Sequence, residues 1–291
     1  MKTILVPIDF SKPAENAARY ALHLARKMKA NITLCHALYI PVEVPSESMG
    51  GWQGYEPATL KNESAKALED LAAKLRNKLI EYALPGAFRP QISYMTHAGG
   101  AVEVITRIAR EIKPCLVVMG MTGAGSLERL LFGSISRNMI DNAAFPLLLV
   151  PEAYLFNNIK KIGFATSLVE EDCEVLHAVA SLARLFDADL LAAHVTGTDE
   201  NDQAHQKRLK SFLSEITGKV NYDKVYFRQV NQEKVNTGLD WLSEHGLLDL
   251  LVMVHRQKGL FDNLFLSHTH AKANNLNIPL LVMQAGMHPV F

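Results

Sequence analysis

Residues 120–134 carry the densest pattern that could do chemistry. They read Gly120-Met121-Thr122-Gly123-Ala124-Gly125-Ser126, then 127–132, then Gly133-Ser134, a spacing of G-x2-G-x9-G-S. Glycines allow tight turns and let a bulky anion approach backbone amides. Successive free N–H groups form an anion-binding concavity. Gly133-Ser134 stands where a helix should open, which adds unpaired donors, the positive end of a dipole and a hydroxyl. Together these suit a di- or triphosphate; the same glycines also serve in a plain tight turn. The lysine of a Walker A loop is missing, and Glu128 stands where G-x-G-x-x-G needs its last glycine. Thr122 and Ser126 offer hydroxyls, while Arg129 and Arg137 offer charge or line a solvated helix face.

The elements that must position this stretch alternate in type. Ile4–Pro7 is a short apolar run, followed by Ser11 as an N-cap and Pro13 just inside a first turn. Ala14, Ala17, Ala18, Ala21, Leu24, Ala25 and Met28 then recur at helical spacing. Strands are predicted at Asn31–Leu38, Gln91–Thr96, Cys115–Met119 and Leu147–Val150, with helices at Ala58–Tyr82, Val102–Ile112 and Ser134–Asn142. Cys115–Met119 is wholly apolar, as a parallel strand covered on both faces should be. Such alternation argues for an α/β protein with a doubly wound, mostly parallel sheet and right-handed crossovers. Asp9, Ala37 and Gly120 are then expected just past the carboxyl ends of strands, where open α/β sheets bind ligands. Asp9 also reads as a cap or turn residue. The segment 40–57, rich in proline and glycine, reads as a ligand-covering or partner-contacting loop, or as a variable surface loop.

The chain repeats itself. Residues 2–37 match 160–195 without a gap: Ile4 falls on Ile162, Leu24-Ala25-Arg26 on Leu182-Ala183-Arg184, and His36 on His194. Pro146-Leu147-Leu148 matches Pro279-Leu280-Leu281 near the end of each half, so the second half is shorter in its middle. Two complete domains are expected, at 1–151 and 158–291. The last strands, Leu147–Val150 and Leu280–Met283, are candidates for pairing the domains with each other. The second half has lost the pattern. Ser167 replaces Asp9, Leu266 replaces Gly133, and either Val254 or His255 faces Gly120. His255, Arg256 and Lys258 form a different anion site or a solvated polar loop. With His268 and His270 they fit no metal spacing. His36 and His194 recur even in the degraded copy, which favours a structural role.

Composition narrows the classes. Lys+Arg and Asp+Glu are both 30, so no basic excess points to nucleic acid. The three cysteines, Cys35, Cys115 and Cys173, are widely spaced and match neither a disulfide framework nor a zinc site. No apolar run approaches the roughly 20 residues of a membrane-spanning helix, and Met1-Lys2-Thr3 leads straight into a strand. The expectation is a cytoplasmic protein that engages neither nucleic acid nor membrane.

The glycine pattern after the fourth strand, with Val6-Pro7-Ile8-Asp9 after the first, resembles the universal stress protein family. The whole chain looks like a tandem member. The resemblance implies two five-stranded sheets of the adenine-nucleotide-binding, Rossmann-like type and ATP as ligand, with or without magnesium. It implies that Asp9 contacts the nucleoside, that Pro7 and Ile8 shape the adenine pocket, and that Ala37 meets the adenine. Gly120, Gly123, Gly133 and Ser134 then hold ribose and phosphates. The second domain is expected not to bind ATP in this way. The implied function is an ATP-binding stress-response regulator, its second domain a structural or pairing partner within one chain or a homo-oligomer. A slow ATPase and a nucleotide-independent interaction module are the alternatives. Turnover would need charge neutralisation and a positioned nucleophile, and no clear base lies beside the loop.

Overall fold

The structure is a computed structural model. It describes residues 1–39, 57–81, 86–121, 134–142, 144–196, 203–231, 242, 247–256, 277–287 and 291. The strands are β1 (Thr3–Pro7), β2 (Asn31–Leu38), β3 (Ile92–Ala98), β4 (Leu116–Met121) and β5 (Leu147–Pro151) in the first half. The second half has β6 (Lys161–Ala165), β7 (Asp189–Thr196), β8 (Val225–Asn231), β9 (Leu250–His255) and β10 (Leu280–Gln284). The helices are α1 (Lys12–Met28), α2 (Pro57–Glu81), α3 (Ala101–Ile112), α4 (Ser134–Asn142), α5 (Glu170–Phe186) and α6 (Gln203–Lys219). The predicted α/β alternation holds throughout the first half.

Helix α1 starts where its capping residues say. The Ser11 side chain accepts from the Ala14 N–H at 3.3 Å and Pro13 occupies the first turn. It stops at Lys29, whose left-handed backbone lets its N–H bond the Ala25 carbonyl. The alanine-rich face between these ends is buried, so α1 lies close on the sheet.

The strands form one sheet in the order β3-β2-β1-β4-β5-β10-β9-β6-β7-β8. Neighbours are parallel except at one place. There β10 runs antiparallel to β5, with Leu280 opposite Leu149, Leu281 opposite Leu148 and Val282 opposite Leu147. All six side chains are buried, so this junction is closed by apolar packing on both faces. Because the pairing is antiparallel, the carboxyl ends of the two halves' parallel strands point to opposite edges of the sheet.

The connection between halves is anchored on α1. The Asn16 side-chain amide donates to the Pro151 carbonyl at 3.0 Å and the Tyr154 carbonyl at 2.9 Å. Phe156 stacks on His23 with ring centroids 4.6 Å apart and meets Tyr20 edge-on at 5.0 Å. Tyr154 donates its hydroxyl to the Asp249 carbonyl at 3.2 Å, tying the connection to the second half.

Two expectations need correcting. Gly120 does not lie past its strand: β4 continues beside β5 with Gly120 opposite Val150 and Met121 opposite Pro151. Ala37 is likewise inside β2, opposite His97. For Gly120, pairing with β5 extends the ladder beyond the apolar run Cys115–Met119; Ala37 falls within the span Asn31–Leu38 that the sequence already marks as strand. The loop 40–56 and residues Thr122, Gly123, Ser126, Arg129, Gly133, Lys258, Leu266, His268 and His270 lie outside the described residues.

Candidate functional site

In the first half β1 is flanked by β2 on one side and β4 on the other. The chain leaves β1 for β2, and β4 arrives on the far side, so the sheet's winding reverses here. This is the position at which open α/β sheets take ligands. Pro7 ends β1 opposite Cys35, and the Ile8 N–H donates to the Cys35 carbonyl at 2.7 Å. Asp9 follows and is exposed. Its Oδ1 accepts from the Ser11 N–H at 3.0 Å and from the Ser11 hydroxyl at 2.5 Å. One carboxylate oxygen is therefore committed to the start of α1, so the turn role and a ligand role share this side chain.

The backbone that carries Asp9 is held by His36. Its Nδ1–H donates to the Ile8 carbonyl at 2.6 Å; a carbonyl only accepts, which fixes the ring's tautomer. Phe10, in a left-handed conformation at φ 62, lays its ring 4.7 Å from His36. The second half repeats this support: His194 Nδ1–H donates to the Thr166 carbonyl at 2.8 Å, and Leu168 has φ 61. Both histidines thus hold the backbone that follows a strand end.

Gly120 has a reason to be glycine that the motif does not convey. A Cβ there would stand 2.3 Å from the Pro13 carbonyl carbon and 2.7 Å from the Ala14 nitrogen. The missing side chain lets the first turn of α1 press against β4. Ser134 opens α4 and is exposed, as is Arg137. The structure thus gathers Pro7, Ile8, Asp9, Ala37 and Gly120 at the carboxyl ends of three adjacent strands.

The second half fills the same place with its own side chains. Register decides the residue facing Gly120: Val254 pairs with Met283 as Gly120 pairs with Val150. A valine there cannot admit a helix start at Gly120's distance. The local solution is Asp172, which is fully buried at the position of Ala14. Its Oδ2 accepts from the Thr166 hydroxyl and the Ser167 N–H, both at 2.8 Å. Its Oδ1 forms an ion pair with the Arg256 guanidinium. Arg256, read from sequence as part of an anion site or of a solvated polar loop, is instead paired with a buried carboxylate. Sequence reasoning missed Asp172; the available signal was a carboxylate replacing the alanine that α1 carries at that point. His255 also turns inward to the other half, with Nε2 3.7 Å from Asp141 Oδ1 on α4.

Other reactive groups are muted. Burial pushes the thiols of Cys35 and Cys173 up to about 12, Glu215 adding to the effect on Cys173. No group of three His, Cys, Asp or Glu side chains among the described residues could hold a metal ion. No helix among them is long and apolar enough to cross a membrane.

Comparison with known proteins points to one family. The chain is similar to a universal stress protein of Methanocaldococcus jannaschii, 28% identical over 156 residues, covering 51% of this chain and 81% of that one. A universal stress protein of Thermus aquaticus is 32% identical over 149 residues, covering 51% of this chain and 98% of its own. The fold also matches the crystal structure of a universal stress protein from Archaeoglobus fulgidus DSM 4304. There the TM-score is 0.73 at 13% identity, over 98% of both chains. With residues 1–151 matching the model of the universal stress protein family, the chain belongs to that family.

Proposed function

We propose that the first half, residues 1–151, binds ATP at the carboxyl ends of β1, β2 and β4, and that the protein acts by occupancy rather than turnover. The observation that carries this reading is the exposed Asp9 carboxylate at the reversal point between β1 and β4. The glycine pattern that ends in Ser134 begins within β4, at Gly120. Asp9 keeps a second oxygen to accept from a ribose hydroxyl. Pro7, Ile8 and Ala37 border the adenine, and Gly120, Gly123, Gly133 and Ser134 serve ribose and phosphates. Donors at the start of α4 suit phosphate oxygens. Magnesium would arrive on the phosphates, since such ions commonly take few protein ligands.

The second half, residues 158–291, is the structural partner. Its Asp172–Arg256 pair lies at the carboxyl ends of β6 and β9, the counterparts of β1 and β4, and β5 pairs with β10 across the halves. The three free cysteines accord with a reducing compartment, where ATP is plentiful. The family label supplies the stress-response role.

Denaturing the purified full chain and identifying released molecules by mass spectrometry tests the reading, together with ATP titration of the emptied protein. One adenine nucleotide per chain is expected. Asp9→Ala should weaken ATP binding about tenfold or more, as loss of a charge-assisted hydrogen bond does. Two nucleotides per chain, or equal binding by Asp9→Ala, overturns the assignment.

A further inference from the structure

The halves also differ at the amino ends of their strands, away from Asp9. In the second half Asp249 precedes β9, and its Oδ2 accepts from the backbone N–H groups of Lys160 at 2.7 Å and Lys161 at 2.9 Å. The Asp249 N–H in turn donates to the Lys161 carbonyl at 2.9 Å. In the first half the Cys115 N–H donates to the Thr3 carbonyl at the same 2.9 Å, so Cys115 occupies Asp249's place and Lys2 and Thr3 those of Lys160 and Lys161. Cys115 brings no carboxylate there; its thiol donates to the Thr3 carbonyl at 3.3 Å.

A cavity of about 820 Å³ opens at this point, lined by Lys2, Arg110, Lys113, Cys115, Phe145 and Met287 among others. It lies beside the end of the junction between halves. β5 and β10 pair only over Leu147–Leu149 and Leu280–Val282. Phe145, just before β5, and Met287, just after β10, both line the cavity. Small-molecule sites commonly span about 300–1,000 Å³ and favour such boundaries. The lining holds three cations and no Asp or Glu, in a chain whose net charge is +0. Arg110 and Lys113 suit the carboxyl end of α3 for dipole reasons alone. That accounts for neither Lys2 nor the carboxylate missing from the repeat. The field of Lys2 opposes the rise that burial imposes on the Cys115 thiol, which places its charge near the sulfur.

We propose that this cavity binds a small organic carboxylate with an apolar body, its carboxylate taking the place that Asp249 fills in the second half. Lys2, Arg110 and Lys113 receive the charge, and Phe145 and Met287 receive the apolar part. The inference is independent of nucleotide binding.

The test is fluorescence titration of the full chain with dansyl-undecanoate. Saturable binding at one site per chain is expected. Cys115→Asp, which restores an internal carboxylate, should abolish it, while Cys115→Ser should stay within about twofold of the parent. The exposed pair Arg110→Gln with Lys113→Gln should weaken binding about tenfold or more, and so should replacing the probe by its methyl ester. That pair carries the test if Cys115→Asp fails to fold. The proposal is overturned by non-saturable binding, by acid and ester binding alike, or by unchanged binding when either the folded Cys115→Asp protein or the paired variant is titrated.

Discussion

Asp9 and Asp172 do related local work at the carboxyl ends of β1 and β6, yet they leave opposite environments behind. Asp9 caps Ser11 with one oxygen and is exposed. Asp172 is fully buried, and both its oxygens are satisfied by Thr166, Ser167 and Arg256. Breaking a buried ion pair strands a charge and costs about 3–5 kcal/mol, whereas removing both partners costs much less. Arg256→Ala should therefore lower unfolding stability by about 3 kcal/mol, and Asp172→Ala with Arg256→Ala by less than the sum of the single changes. Urea unfolding of the full cycle measures this. An additive cycle would mean that the pair is not coupled in the folded protein.

The elements meet most closely around α1. It approaches β4 because Gly120 lacks a side chain, and a Cβ 2.3 Å from the Pro13 carbonyl carbon cannot be accommodated without moving the helix. Gly120→Ala should cost about 1–3 kcal/mol, the range for overpacking a close-fitted site, and weaken ATP binding with it. Thermal unfolding and titration of that variant check both effects. On its other side α1 presents His23 to Phe156, and burial, with Arg26 and Lys78 nearby, lowers the histidine's pKa from 6.5. The folded state then binds fewer protons than the unfolded state in that range. His23 contributes fully above pH 6.5, and its contribution falls as pH drops through 6.5 toward the folded value. Stability measured between about pH 7.5 and about pH 5.5 should fall less in His23→Phe than in the parent. Equal slopes would remove His23 from the account.

At the scale of the whole molecule, one sheet runs through both halves. Helix α4 crosses the boundary at its carboxyl end, where Gln284 donates to the Ile140 carbonyl at 2.8 Å and His255 faces Asp141. The same helix begins at Ser134, so the proposed phosphate end of the first half is joined by one rigid element to the strand ends of the second. ATP should therefore raise the unfolding temperature of the entire chain in a single calorimetric transition. Leu281→Asp places a charge where the side chain is 1% exposed and faces Leu148. That change should cost well over about 2 kcal/mol and split the transition in two, only the first-half component responding to ATP. A single transition in the variant would show that the junction does not couple the halves.

Much of this is legible in the sequence alone. Ser11 and Pro13 announce the start of α1, the apolar periods mark strands and helices, and the gapless match of 2–37 to 160–195 exposes the repeat. The capping and periodicity signals are local: they depend on residues within a turn or two of each other. The decay of the second copy is legible from aligning the two copies, as Ser167 for Asp9 and Leu266 for Gly133. Register and charge pairing are not. That Val254 stands at Gly120's place follows from pairing between strands. That Arg256 meets Asp172 joins residues 84 positions apart. Asp249 and Cys115 show their equivalence only through the carbonyls their N–H groups reach, those of Lys161 and Thr3. The sequence by itself determined the elements, their order and the motif. Tertiary structure alone decided which strand ends stay open and which are closed by the protein's own charges, because desolvation and ion pairing depend on distance in space rather than along the chain.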